Sequence, residues 1–170
     1  MLSKKFEEKL NDQMNFEIYS AFIYKAMAAY CETEDLPGFA QWLKAQTKEE
    51  FFHGEKMYDY LIDRGARPYF KTIDAPQKEW DSVKAVFEDA LAHEKKVTAR
   101  INELMDISIE EHDHASRSFL NWYVDEQVEE EASVDDIIKK IDMLEGSGNG
   151  LYMLDKELGG RKFSEASDGE

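Results

Sequence analysis

Apolar residues recur along the chain at alternating steps of three and four in four separate stretches. That spacing belongs to helices that each bury one stripe against their neighbours in a bundle. The first stripe reads Phe6, Leu10, Gln13, Glu17, Ser20, Tyr24, Met27, Cys31, with Ser3 suited to N-cap it and an end near Glu32. The second enters through Asp35 with Pro37 in its first turn and reads Phe39, Leu43, Gln46, Glu50, His53, Met57, Tyr60. Gly65 stops it. The third begins around Asp81–Ser82, reads Val83, Phe87, Ala90, Glu94, Val97, Ile101, Leu104, and fades near Ile109. The fourth follows Asp113 and reads Leu120, Tyr123, Gln127, Glu130, Val134, Ile137, Ile141, Leu144, ending at Gly146. Nothing reads as a strand, and the fold class predicted is all-α.

The connections set the topology. Breaks near 33–36 and 110–113 hold only about 4 residues each, which forces antiparallel neighbours. The break from Ala66 to Trp80, with Pro68 and Pro76, holds roughly 15 residues, enough extended chain to travel up to ~50 Å along helices of ~42 Å. The second and third helices can therefore run parallel, giving a bundle with one long crossover rather than a simple meander. After Gly146-Ser147-Gly148-Asn149-Gly150, read as a flexible hinge, Leu151 to Leu158 is predicted to form a short fifth helix. Residues 1–162 then make one domain, and 163–170 an acidic tail expected to be disordered.

Composition narrows the function classes. Of 170 residues, 37 are acidic and 21 basic, a net charge of −16, which leaves no phosphate-neutralising surface for nucleic acid or an anionic membrane. A mean hydropathy of −0.63, with no apolar run near the ~20 residues of a membrane span, predicts a soluble, cytoplasmic protein. Cys31 stands alone, so neither an intrachain disulfide nor a cysteine-rich metal site is expected.

Each stripe is apolar except near its middle, where it carries Glu17, Glu50 with His53, Glu94, and Gln127 with Glu130. Each of these lies about 12 to 16 residues inside its helix, so all share one height whichever way each helix runs. Four carboxylates, an imidazole and an amide would then occupy one buried layer, with no Lys or Arg on the stripes at that height. Burying such a set costs several kcal/mol per charge unless a positive ion sits between them. The alternatives are a network of protonated acids, or a register in which these residues face solvent. Oxygen-dominated ligation with one imidazole and no thiolate suits iron or manganese better than structural zinc, and two ions fit better than one. Glu49, turned ~100° from Glu50, and the i, i+3 pair Glu126 and Glu129 can converge at the edge of the layer, although such runs also form plain solvated faces. His93, His112 and His114 fall on no stripe and are expected at solvated or turn positions. Met14, Met27, Met57, Met105, Met143 and Met153 read as core or interface filler, and Trp122 as packing.

Four segments carry a resemblance to a known family: Asn15-Phe16-Glu17-Ile18-Tyr19-Ser20-Ala21, Glu49-Glu50-Phe51-Phe52-His53, His93-Glu94, and Trp122 through Glu131. From Ser3 to about Arg161 the chain resembles the non-haem bacterial and archaeal ferritins. The resemblance implies a ferritin-like four-helix bundle with a short fifth helix, and a ferroxidase centre in which Glu17, Glu50 and His53 hold a first iron. Glu50 would bridge to a second iron held by Glu94 and Glu130, with Gln127 beside it, and Tyr24 would lie next to the centre as an electron source. It further implies a third iron at Glu49, Glu126 and Glu129 with Glu130 shared, and a homo-oligomer of 24 subunits. Fe(II) oxidised by dioxygen or hydrogen peroxide would be stored as a ferric mineral. Gln127-x-x-Glu130 replaces the second Glu-x-x-His of bacterioferritins and many di-iron oxygenases, and Phe51 replaces the haem-ligating Met of bacterioferritins. No haem is expected. A di-metal oxidase or oxygenase without a storage role, and a metal-free structural bundle, remain the other functional classes.

Overall fold

The computed structural model describes residues 1–144 and 147–163. Its helices are α1 (Lys4–Thr33), α2 (Pro37–Asp63), α3 (Val83–Glu110), α4 (His114–Met143) and α5 (Gly148–Leu158), with no strand among the described residues. Ser3, Ser82 and Asp113 cap α1, α3 and α4 by accepting from the third residue on, as the sequence predicts. The first three helices end alike. Asp35 (φ 58°), Gly65 (φ 78°) and His112 (φ 56°) take the left-handed position, and the next N–H closes back on Cys31, Leu61 and Ser108 respectively.

Two local expectations change. Asp35 does not lead into α2, because its left-handed backbone finishes the turn out of α1; the N-cap is Leu36, which has no capping side chain. The cap comes instead from α5, where Asp155 Oδ1 accepts from Gly38 N (2.7 Å) and Phe39 N (3.0 Å). Gly38 permits that approach, since a Cβ there would lie 1.6 Å from Asp155 O. The glycine-rich stretch expected as a hinge is in part helix, since Ser147 accepts from Gly150 N and α5 starts at Gly148, ahead of Leu151. Gly146, expected to end α4, lies outside the described residues, as does the acidic tail from Ser164 onward.

Pairings between helices fix the directions. Lys9–Glu103, Gln13–Arg100 and Tyr24–Glu94 run α1 antiparallel to α3, while Glu32–Lys44 and the contact of Gly54 with Ile18 run it antiparallel to α2. Helices α2 and α3 therefore point the same way, and the long crossover between them is real. It is held to α1 by two asparagines. Asn11 exchanges both bonds with the Tyr69 backbone (3.0 and 2.9 Å), and Asn15 Oδ1 accepts from Lys71 N at 2.7 Å.

Burial divides the core in two. Phe6, Leu10, Met14, Met57, Leu61, Ile101, Leu104 and Leu120 fill one end, and Met27, Cys31, Phe39, Leu43, Phe87, Val134 and Ile137 fill the other, closed by Leu154 and Leu158 of α5. Buried polar side chains separate the two. Among the described residues, no helix is long and apolar enough to cross a membrane.

Candidate metal centre

The dividing layer is built from the middle of each long helix. Glu17, Glu50, His53, Glu94, Gln127 and Glu130 are all buried. Gly54 keeps α1 close to α2, since a Cβ there would meet Ile18 Cγ1 at 3.1 Å and Glu17 Cβ at 3.7 Å. Ligand atoms of Glu17, Glu50 and His53 lie within 4.8 Å of one another, and those of His53, Glu126 and Glu130 form a second such group. Each of the buried atoms Glu17 Oε2, Glu50 Oε2, His53 Nε2 and Glu130 Oε2 lacks a hydrogen-bond partner. Buried carboxylates and imidazoles are rarely left so, and cations held within these two groups would satisfy their lone pairs.

The electrostatics run the same way. Burial, then the repulsion of the other carboxylates, pushes Glu50 and Glu130 well above the usual range. Burial also raises Glu17, to about 7, with hydrogen bonds from Gln13 and Glu50 and the charge of Arg100 pulling the other way. Burial, helped by nearby Lys56, pushes His53 down to about 3, so its imidazole is neutral with a free lone pair. Trp122 and Tyr123 set the ring's position from the side, their centroids 5.3 and 6.2 Å away and nearly perpendicular, and Tyr123 donates to the His53 carbonyl at 2.8 Å. Trp122 is thus packing for a candidate ligand.

Glu94 differs. Its Oε1 accepts from the Tyr24 hydroxyl and its Oε2 from Gln127 Nε2 at 3.1 Å, and it belongs to neither ligand group. Gln127 also donates to Thr98 Oγ1 (3.3 Å), which donates to Glu131 (2.6 Å), so the layer connects to the α3–α4 surface. At the acidic edge the predicted residues separate. Glu126 joins His53 and Glu130, Glu49 is ion-paired with Arg161, and Glu129 is exposed.

A chain of 170 residues that places Glu, Glu-x-x-His, Glu and Gln-x-x-Glu from four helices in one layer invites comparison with known proteins. The ferritin-like domain family matches residues 7–144. The chain belongs to the ferritin family. It is 47% identical over 165 residues to a bacterial non-heme ferritin of Staphylococcus aureus, covering 97% of this chain and 99% of that one. The same identity and coverage relate it to the bacterial non-heme ferritin of Staphylococcus haemolyticus. Among solved structures it matches an open pore ferritin of the hyperthermophilic archaeon Archaeoglobus fulgidus with a TM-score of 0.94 and 44% identity, covering 95% of this chain and all of that one.

Seen as a ferritin, the chain also has residues around the layer that stripe reading misses. His93, expected in solvent, is instead buried against α1 at 6% exposure. There His93 Nε2 pairs with Ser20 Oγ at 2.7 Å and the ring stacks on Phe16 at 5.1 Å. Burial, then the charges of Lys96 and Arg100, pushes it to about 4. His112 and His114 sit exposed at the turn, as expected. Gln13 and Gln46 each donate to the carboxylate four residues on, Glu17 Oε1 at 2.7 Å and Glu50 Oε1 at 3.3 Å. The repeated Gln-x-x-x-Glu on two stripes was the legible sign of both.

Proposed function

We propose that the protein is an iron-storage ferritin with ferroxidase activity. Two Fe(II) ions are the substrates, the first taken by Glu17, Glu50 and His53, the second by Glu94 and Glu130 with Gln127 beside it and Glu50 bridging. The convergence of unpartnered buried atoms on Glu17, Glu50, His53 and Glu130 carries this reading. Carboxylates that repel one another in the empty layer become ligands when cations enter, so their burial cost turns into affinity. Anionic oxygen ligands stabilise Fe(III) over Fe(II), which favours one-electron oxidation of each ion by dioxygen or hydrogen peroxide. Tyr24, which is hydrogen-bonded to Glu94, would supply a further electron.

Ferric iron would then pass by Glu49, Glu126 and Glu129, a third and weaker all-oxygen position sharing Glu130, into a mineral enclosed by 24 copies of the chain in the cytoplasm. Haem has no part in this reading, since Phe51 offers no ligating atom where bacterioferritins carry Met. Aerobic addition of Fe(II) followed by size separation tests it. Ferric iron should co-elute with a particle of roughly 24 subunits. Rapid oxidation with all iron released or precipitated would favour a di-metal oxidase without storage.

A further inference from the structure

No Lys or Arg lies on the stripes at the height of the layer, yet a guanidinium reaches it from the side. Arg100 of α3 donates from Nε to Gln13 Oε1 at 2.5 Å, and the buried Gln13 passes the contact on, donating from Nε2 to Glu17 Oε1 at 2.7 Å. Arg100 is itself fixed. Its guanidinium carbon lies 4.3 Å from the ring centroid of Phe16, which stacks on His93, which pairs with Ser20. One oxygen of Glu17 is therefore held, and the other, Oε2, is buried with no hydrogen-bond partner, in a residue grouped with Glu50 and His53.

We infer that Arg100, acting through Gln13, is a positioning residue for cation binding: it locks Glu17 with one oxygen tied back and the other presented to the Glu17/Glu50/His53 position. The inference rests on the metal-centre reading and adds to it a residue that never touches the cation. An amide beside a carboxylate has two orientations, and a donor on its far side selects the one with NH2 toward the carboxylate. Polarisation of the amide by a cation also strengthens the bond it donates. The same layer contains its own control. Gln46 stands to Glu50 as Gln13 stands to Glu17, but its Oε1 has no partner and its bond is longer, 3.3 against 2.7 Å. The amide backed by a guanidinium is the one held tight.

Coupling through Gln13 separates positioning from plain charge. A guanidinium acting only through its field repels the cation and favours the ionised form of Glu17, and neither effect passes through Gln13. Anaerobic titration of the assembled protein with Co(II), followed by its visible ligand-field bands, gives the stepwise affinities. Arg100→Met and Gln13→Met should each weaken the first Co(II) by roughly 10- to 100-fold, the cost of losing an outer hydrogen-bond partner of a ligand. The double variant should lose no more than Gln13→Met alone, and Arg100→Lys should recover part of the loss. The inference is overturned if Arg100→Met binds as tightly as the parent or tighter, if the two losses add, or if both steps weaken equally. Failure of the parent protein to bind Co(II) would sink the metal centre itself, a result distinct from all of these.

Discussion

Both sides of the polar layer are built around buried carboxylates, but those carboxylates are left in different states. On the α1–α2 side, Glu17, Glu50 and His53 come together with one atom each, Oε2, Oε2 and Nε2, that no donor outside the group answers. On the α3 side, Glu94 has both oxygens engaged, one by the Tyr24 hydroxyl and one by the Gln127 amide. The first side carries the desolvation cost of unpaired polar atoms and recovers it when a cation arrives. On the second, Glu94 is already satisfied although Glu130 Oε2 is not, so a cation there must displace or share the Glu94 bonds. With the imidazole of His53 on the same side, the α1–α2 position should fill first.

The largest effects should come from the ligands themselves. Glu50→Ala or His53→Ala should slow Fe(II) oxidation by more than the roughly 100-fold that loss of an outer partner costs a metal site. In Glu50→Ala the empty protein should melt higher, because one repelling buried carboxylate is gone. Stopped-flow rates at the parent value in both variants would place the centre elsewhere. Next in size, Glu129→Ala should remove one Fe(II) per chain from an anaerobic titration while leaving the first fast oxidation intact. Loss of that fast phase would mean Glu129 belongs to the catalytic pair.

Tyr24→Phe sharpens the contrast more finely. Removing the hydroxyl frees Glu94 Oε1, so the second Fe(II) should bind severalfold tighter, about what one hydrogen bond is worth, while the first step stays where it was. A shift in the first step alone would show that the two sides are not independent. The layer as a whole can be read through its pH dependence. A carboxyl held at about 7 in the folded chain, as Glu17 is, prefers its proton there, so its contribution to stability is full below the ordinary value of 4.5 and is lost as pH rises through about 7. Glu50 and Glu130, also raised, act in the same direction. The metal-free protein should therefore gain on the order of 1 to 3 kcal/mol on going from pH 8 to 5, and bound Fe(II) should reverse the trend by holding the ionised forms. Asp113 works oppositely. Burial alone would raise it, but hydrogen bonds from Arg64 and Ser116 hold it at about 2, so its contribution disappears only as pH falls through that value. Melts of empty and loaded protein with one common pH trend would argue against a layer of buried acids.

Much of this was legible because periodicity is a global property. Each stripe spans many turns, so the depth of Glu17, Glu50, Glu94 and Glu130 follows from counting, and the long crossover from the length of one break. What counting cannot see is a partner supplied across the bundle. Arg100 lies off its stripe and reaches α1 only because the α1–α3 pairing puts it beside Gln13. His93 is buried by Ser20 and Phe16 of another helix, and α2 is capped by Asp155, 117 residues away from Gly38. Such contacts depend on interhelical register, which no single helix encodes.

The unequal filling of the two positions is the claim with most at stake, and crystals of the assembled protein soaked anaerobically with one Fe(II) per chain would test it directly by anomalous scattering. Density should appear among Glu17, Glu50 and His53, with the position between Glu94 and Glu130 filling only when more iron is added. Equal occupancy of both positions, or the Glu94 side filling first, would contradict it.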